Sequence, residues 1–417
     1  MDFFSAIPLP LWIAALLAFY MAWAIGANDV ANAMGTSVGS GALTVGGAVI
    51  VAAIFEFAGA FLAGGHVTDT VRKGMLDMSS LGREQLIYGM MASLASAGTL
   101  LIGATRFGLP ISTTHAIVGA IVGFGAVAIG IDAVNWPKVL QISLSWITSP
   151  LLAGVIAFAI FHLIRSTILN KSNPVHQIRK YGPAFFFFVF FIIGLVTLFK
   201  GLKHINLDLD LMEALAGSVA LGLIGSGLGA FFIRRVQIGE ADPDHRFDQV
   251  ERIFVVLQIL TACAIAFAHG SNDVANAIGP LAAIVNAVEN VDLTAKTPIA
   301  PWMLAIGGLG IVIGLATWGY RVMETIGKKI TELTPSRGFA AQLAAASTIV
   351  LASRLGIPIS TTHTLVGAVL GVGLARGITA LDLRVVGNIL ASWIATLPIA
   401  AALSVFFYYF FKGLLTA

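Results

Sequence analysis

The stretch "GLPISTTHAIVG" at Gly108–Gly119 places a proline, a serine, two threonines and a histidine inside an otherwise apolar sequence. Nearly the same letters return as "GIPISTTHTLVG" at Gly356–Gly367. A second motif also occurs twice, as "GANDVANAMG" at Gly26–Gly35 and as "GSNDVANAIG" at Gly270–Gly279. Matches in the same order at nearly one offset indicate a tandem duplication, which is the first feature to look for in a sequence.

The composition defines the environment of this duplicated chain. Of its 417 residues, 58% are hydrophobic and 11% are charged, whereas a soluble domain has about 25% charged residues. Apolar runs of the roughly 20 residues that cross a bilayer recur throughout. We predict an all-α polytopic membrane protein with about 12 membrane helical segments. Residues 1–165 form transmembrane repeat 1, residues 250–417 form repeat 2, and residues 166–249 connect them through two transmembrane helices and cytoplasmic loops.

Charge predicts the orientation of the repeats. Residues 165–180 and 234–252 each contain four Lys or Arg residues, and the first ten residues contain none. Because cytoplasmic loops are enriched in Lys and Arg, both loops are predicted to be cytoplasmic, with the N-terminus outside the cell membrane. Five segments per repeat would then make the second repeat inverted relative to the first, an arrangement that many secondary transporters share.

The "NDVAN" motifs place carboxylates next to apolar runs, where a charge is costly. Helix capping at the membrane surface is one explanation, since Asn and Asp are good caps. The alternative is a site for a small hard cation, formed by side-chain oxygens and by free carbonyls at a helix break. No imidazole-rich or soft set is evident, so no transition metal and no cofactor are expected. The candidate ligands are Asn28, Asp29, Asn32, Asn272, Asp273 and Asn276.

The "PISTTH" motifs predict two helix breaks. Pro110 and Pro358 cannot continue a preceding helix but suit the first turn of a new one, and Ser or Thr favours the cap. The free N–H groups of such a helix start attract anions. We expect the two breaks to converge on one anion, although a helix start that satisfies only itself is the alternative. The candidate anion-binding residues are Ser112, Thr113, Thr114, Ser360, Thr361 and Thr362.

Other polar residues leave more than one interpretation open. His115 and His363 could orient a neighbour, bind the substrate or carry a proton. Glu56 lies in the middle of an apolar run, where a carboxylate is a functional candidate by default. Arg106 and Arg354 are interpreted as anchors of helix ends. An intramembrane hydrolase using Ser112 and His115 lacks a third orienting group, so we do not expect an enzyme. A channel is the other rival, because broken helices also line pores.

The paired motifs resemble the signatures of the inorganic phosphate transporter (Pit) family, in both halves and in the expected order. The resemblance implies symport of phosphate with cations through a site between inverted repeats. It implies cation coordination by Asp29, Asn32, Asp273 and Asn276. It also implies phosphate binding by Ser112–Thr114 and Ser360–Thr362.

The resemblance does not fix the coupling ion, because eukaryotic members use sodium and several bacterial ones use protons. The Asn-Asp-Asn oxygens favour sodium, and a proton-coupled phosphate or sulfate permease is the alternative. Sodium-coupled eukaryotic members have a glutamate in each half. Glu56 matches the first, but Gln342 stands at the second, so a coupling or gating role is expected for Glu56, His115, His363 and Gln342 without two-glutamate symmetry. The expected partners are phosphate, sodium and membrane lipid, without nucleic acid, and the chain is compatible with a homodimer.

Overall fold

The computed structural model describes residues 8–66, 75–76, 81–198, 209–235, 246–289, 299–354 and 359–416. Within these ranges the chain is helical and has no β-strand, apart from one antiparallel bridge between Leu76 and Val134. The α-helices are α1 (Leu9–Gly39), α2 (Val45–Ala63), α3 (Arg83–Arg106), α4 (Thr113–Ala128), α5 (Trp136–Ile164), α6 (Pro174–Val196), α7 (Leu211–Arg235), α8 (Arg246–Glu289), α9 (Pro301–Trp318), α10 (Tyr320–Glu324), α11 (Pro335–Arg354), α12 (Thr361–Arg376) and α13 (Leu383–Leu415).

Nine helices in the described ranges are long and apolar enough to cross a membrane, namely α1, α2, α3, α5, α6, α7, α8, α9 and α13. The predicted all-α polytopic class is confirmed. Helices α4 and α12, which begin at the two "STTH" motifs, have 16 residues each and are shorter than the roughly 20 residues that a full crossing needs. Each is therefore too short to cross a membrane by itself.

Helices α1 and α8 are longer than their apolar runs suggest. α1 continues through the first "NDVAN" motif to Gly39 without interruption, and α8 runs through the second motif and past Pro280 to Glu289. The predicted helix break at these motifs is therefore wrong. Backbone carbonyls in a continuous helix accept from the amide four residues on, so they are not free to bind a cation. The side chains alone supply the candidate ligands.

Close helix contacts reveal how the two halves pack. Gly26 of α1 lies against the backbone of Ile311 in α9, and Gly270 of α8 lies against the backbone of Glu56 in α2. A side chain at either glycine would collide with that backbone, which is why small residues allow membrane helices to approach closely. Each half thus contributes the partner that the other half needs, as in a twofold arrangement.

The short helices repeat this exchange. Gly119 of α4 lies against Leu397 of α13, and Gly367 of α12 lies against Pro150 of α5. The last helix of each repeat therefore supports the short helix of the other repeat. As a result, the starts of α4 and α12 meet at the interface between the halves, beside α1 and α8.

Two helices, α6 and α7, lie between residues 166 and 249. They pack closely because Gly225 and Gly229 of α7 face Phe190 and Phe186 of α6. The region 234–252 is only partly a loop. α7 continues to Arg235 and α8 starts at Arg246, while 236–245 lie outside the described residues.

Candidate substrate and cation site

The first predicted helix break is present in the structure. α3 ends at Arg106 and the chain is not helical again until Thr113. Gly108 has φ +65°, a left-handed conformation that glycine adopts without strain. Ser112 caps α4, because its side chain accepts a hydrogen bond from the His115 amide at 3.2 Å. Pro110 lies two residues before this cap, so the prediction that it starts the helix is wrong.

The second break is built in the same way. Ser360 caps α12 by accepting from the His363 amide at 3.1 Å, while Pro358 lies outside the described residues. In α4 the first intrahelical bond runs from Ala116 N to Ser112 O at 3.1 Å. The first two amides of each helix therefore have no acceptor in their own helix. Two such helix starts, meeting at one interface, provide N–H groups suited to an anion.

The hydroxyl groups of the breaks contact the carboxylates of the "NDVAN" motifs. Thr362 Oγ1 donates to Asp29 Oδ1 at 3.1 Å and accepts from Asn32 Nδ2 at 2.9 Å. All three residues are buried. Among the described residues, Asp29 Oδ2 and Asn32 Oδ1 have no hydrogen-bond partner. Two unpaired buried oxygen acceptors, on residues three apart in one helix, are suited to a hard cation.

Asp273 receives hydroxyl groups from both breaks. Thr113 Oγ1 and Thr361 Oγ1 donate to its Oδ2 at 3.3 and 3.1 Å, and Asn272 Nδ2 donates to its Oδ1 at 2.8 Å. Asn276 Nδ2 reaches Thr113 Oγ1 at 3.4 Å. The sequence predicted separate anion and cation sets, and the structure brings these sets into direct contact.

His269 is a buried site residue that the sequence analysis missed. Its Nε2 lies 3.0 Å from Asp273 Oδ2, and its Nδ1 lies 2.8 Å from Glu56 Oε2. One ligand atom from each of Asp29, His269 and Asp273 lies within 4.8 Å of the other two. The sequence shows no imidazole-rich set next to these oxygens, and the structure adds one imidazole to them. The available signal was the spacing of four residues between His269 and Asp273, which places both on one helix face.

Asn28 has a supporting role in this structure. Its Nδ2 donates to Thr105 Oγ1 at 2.9 Å and to Leu109 O at 3.1 Å, and its Oδ1 accepts from Ile111 N at 3.2 Å. These contacts hold the non-helical segment that leads into α4. Thr114 is buried in the first turn of α4, next to Thr113.

The two motif histidines lie in an aromatic cluster at the interface of the halves, where their rings meet edge to face. The rings of His115 and His363 have centroids 4.3 Å apart, and each also lies against a tryptophan, Trp146 at 3.6 Å and Trp393 at 3.5 Å. His363 Nδ1 is 3.2 Å from Trp146 O, and Trp393 Nε1 donates to Pro110 O at 3.1 Å. His363 thus makes a ring contact of the kind that an orienting role requires, whereas neither ring nitrogen of His115 has a hydrogen-bond partner among the described residues.

Gln342 lies apart from Glu56. Its Nε2 donates to Ala33 O at 3.0 Å and to Ser37 Oγ at 2.9 Å, while its Oε1 accepts from Thr261 Oγ1 at 2.9 Å. Gln342 therefore joins α11 to α1 and α8. Glu56 and Gln342 are not equivalent positions of the two repeats, which explains why one can be a glutamate without the other.

The arginines near the breaks do not enter the site. Arg106 is exposed at the end of α3, as an anchoring role predicts. The side chain of Arg354 lies outside the described residues. Among the described residues, no lysine or arginine donates a hydrogen bond to the two aspartates or to the threonine hydroxyls around them. The negative charge of an anion bound here would therefore have to be offset by a bound cation.

The fold and this site define a polytopic membrane transporter whose site lies between two structural repeats. Residues 25–404 match the model of the phosphate transporter family. The chain belongs to the phosphate transporter family, and it is a transporter and not an enzyme. The family predicted from the two repeated motifs is confirmed.

Individual relatives support this assignment over nearly the whole chain. A relative from Haemophilus influenzae named a phosphate permease is 48% identical over 401 residues, covering 95% of this chain and 96% of the relative. "Inorganic phosphate transporter 2-1, chloroplastic" from Arabidopsis thaliana is 42% identical, covering 99% of this chain and 77% of its own length. A solved structure described as "The sodium-dependent phosphate transporter" is 42% identical with a TM-score of 0.88, covering 97% of this chain and 99% of that one.

Proposed function

We propose that the protein imports inorganic phosphate by symport with sodium ions. The phosphate is held between the two "STTH" helix starts, and sodium is bound by the two "NDVAN" motifs. The observation that carries this proposal is the direct contact between the two sets, in which threonines from both breaks donate to Asp29 and Asp273. The description of the similar solved structure as sodium-dependent gives independent support.

The hydrogen bonds suggest how the two substrates are coupled. A threonine hydroxyl has only one proton to donate, and Thr113, Thr361 and Thr362 each direct it to a carboxylate. A sodium ion at these carboxylates takes the place of the hydroxyl donors. The three threonine hydroxyls are then free to donate hydrogen bonds to an anion at the adjacent helix starts. Sodium thus supplies the neutralising charge, and it frees the threonine donors that phosphate requires.

A proton-coupled phosphate or sulfate permease is the second candidate. The contact between His269 and Asp273 favours it, because imidazole is the side chain best suited to carry a proton near neutral pH. The oxygen-rich surroundings of Asp29 and Asn32, with their two unpaired acceptors, favour sodium.

Uptake of labelled phosphate into proteoliposomes tests the proposal. An inward sodium gradient without a proton gradient should drive concentrative uptake, and excess sulfate should not compete. Uptake that needs only a proton gradient would establish the second candidate. Equal uptake without either gradient would contradict symport.

We further propose the plasma-membrane topology with the N-terminus outside and residues 165–180 and 234–252 in the cytoplasm, on the strength of their basic residues. The chain has a single cysteine, Cys263, so Cys263→Ala gives a background for labelling. A cysteine introduced at Lys171 should react only with a reagent that enters the cytoplasm. Cross-linking of the protein in membranes tests whether two copies of the chain form a homodimer.

A further inference from the structure

A chain of three buried polar side chains links α2 to the second "NDVAN" motif. Glu56 Oε2 lies 2.8 Å from His269 Nδ1, and His269 Nε2 lies 3.0 Å from Asp273 Oδ2. The side chains of Glu56 and His269 are 0% exposed, and that of Asp273 is 1% exposed. His269 Nδ1 is hydrogen-bonded to Glu56, and Nε2 lies at ion-pair distance from Asp273 without hydrogen-bond geometry, so Glu56 is the partner that orients the imidazole.

The other half of the protein shows that the fold does not require this chain. Gly270 packs on Glu56 as Gly26 packs on Ile311, so Ile311 is the counterpart of Glu56. The counterpart of His269, the residue before Gly270, is Ile25, the residue before Gly26. Ile25 and Ile311 are both 0% exposed. Two isoleucines therefore fill the equivalent space, which agrees with the finding that buried ion pairs are often replaceable by apolar residues.

The two aspartates differ in how many of their carboxylate oxygens have polar neighbours. Asp273 has neighbours on both oxygens, with His269, Thr113 and Thr361 at Oδ2 and Asn272 at Oδ1. Asp29 has Thr362 on one oxygen, and its Oδ2 has no hydrogen-bond partner among the described residues. One carboxylate is held in a single orientation, whereas the other has an oxygen left free.

We propose that His269, held in place by Glu56, is the positioning residue for Asp273 and thereby sets the sodium affinity of one half of the site. This inference rests on the proposed sodium symport and deepens it. The arrangement follows the logic of outer-shell partners in metal sites, whose removal costs 10–100-fold in metal affinity. Glu56 acts on sodium through His269, and its role has no equivalent in the other half.

The test copies the apolar pair of the other half into this one. The double variant Glu56→Ile/His269→Ile should fold, because Ile25 and Ile311 already occupy equivalent space. We expect the sodium concentration for half-maximal phosphate uptake to rise 10–100-fold. At saturating sodium, the KM for phosphate should change less than threefold. The isosteric Glu56→Gln keeps an acceptor for His269 Nδ1 and should retain most of the sodium affinity. If the double variant fails to fold, the single variant His269→Ile takes its place, with the same rise expected.

Single variants separate a positioning chain from independent contacts. Because the two residues act as a unit, Glu56→Ile, His269→Ile and the double variant should shift sodium dependence by similar factors. If the fold-changes of the two single variants multiply in the double variant, Glu56 contacts sodium by itself and the proposal is overturned. Unchanged sodium dependence in folded isoleucine variants would overturn it too, while leaving sodium symport intact. Wild-type uptake that ignores sodium would instead refute the symport itself, and the positioning role with it.

Discussion

The change Asp29→Asn tests whether the free carboxylate oxygen of α1 binds the cation. Ligand atoms of Asp29 and Asp273 lie within 4.8 Å of one another. Two ionised carboxylates at that separation repel by about 3.5 kcal/mol at an effective dielectric constant of about 20. A sodium ion bound to Asp29 would lie closer to this carboxylate than Asp273 does. Removing the Asp29 charge should therefore cost sodium binding at least a similar free energy. That corresponds to about a 300-fold loss of sodium affinity at 1.4 kcal/mol per decade.

The same change should leave the fold intact. Asparagine keeps an acceptor for the Thr362 hydroxyl, which lies 3.1 Å from Asp29 Oδ1. In sodium-free detergent solution, the Tm of Asp29→Asn should be no lower than that of the wild type, because the repulsion with Asp273 is gone. Added sodium should raise the Tm of the wild type much more than that of the variant. Asp132→Asn, at an exposed position, is the matched control. An unaltered sodium titration of phosphate uptake in Asp29→Asn would refute this reasoning.

Three further changes test the surrounding contacts. Ser360→Ala removes the cap of α12, so we expect a loss of about 1 kcal/mol in stability and a roughly fivefold higher KM for phosphate. An unchanged KM would argue against the helix starts as the anion site. Thr362→Val leaves buried partners of its hydroxyl unpaired, which costs about 1–3 kcal/mol. Phosphate uptake should need more sodium, and Thr362→Ser should restore it; failure of this rescue would show that the hydroxyl is not what matters. Gly26→Ala should lower the Tm through a clash with α9, whereas Gly103→Ala, with open space around it, should not. Equal Tm values would contradict the close packing.

Much of the fold follows from two signals in the sequence. Long apolar runs predict the membrane helices, and the duplicated motifs predict which elements correspond. The caps at Ser112 and Ser360 were also predictable, because Ser after Pro at the end of an apolar run favours a helix start. These features depend on neighbours close in the chain.

The contacts between distant residues were not predictable in this way. Nothing local shows that Thr362 reaches Asp29, 333 residues away, because this contact depends on how the two halves pack. The continuity of α1 and α8 does not follow from the sequence, because polar side chains inside an apolar run are also typical of a helix break. His269 has no signal in the duplicated motifs, because its counterpart in the first half is the apolar Ile25. The comparison of repeats thus finds what the halves share and hides what only one of them has.

We propose that phosphate and sodium bind next to each other and favour each other's binding. Equilibrium binding of labelled phosphate to the purified protein, measured with and without sodium at constant ionic strength and pH, tests it most directly. We expect sodium to lower the Kd for phosphate, and phosphate to lower the Kd for sodium by the same factor. A phosphate Kd that is the same with and without sodium would contradict it.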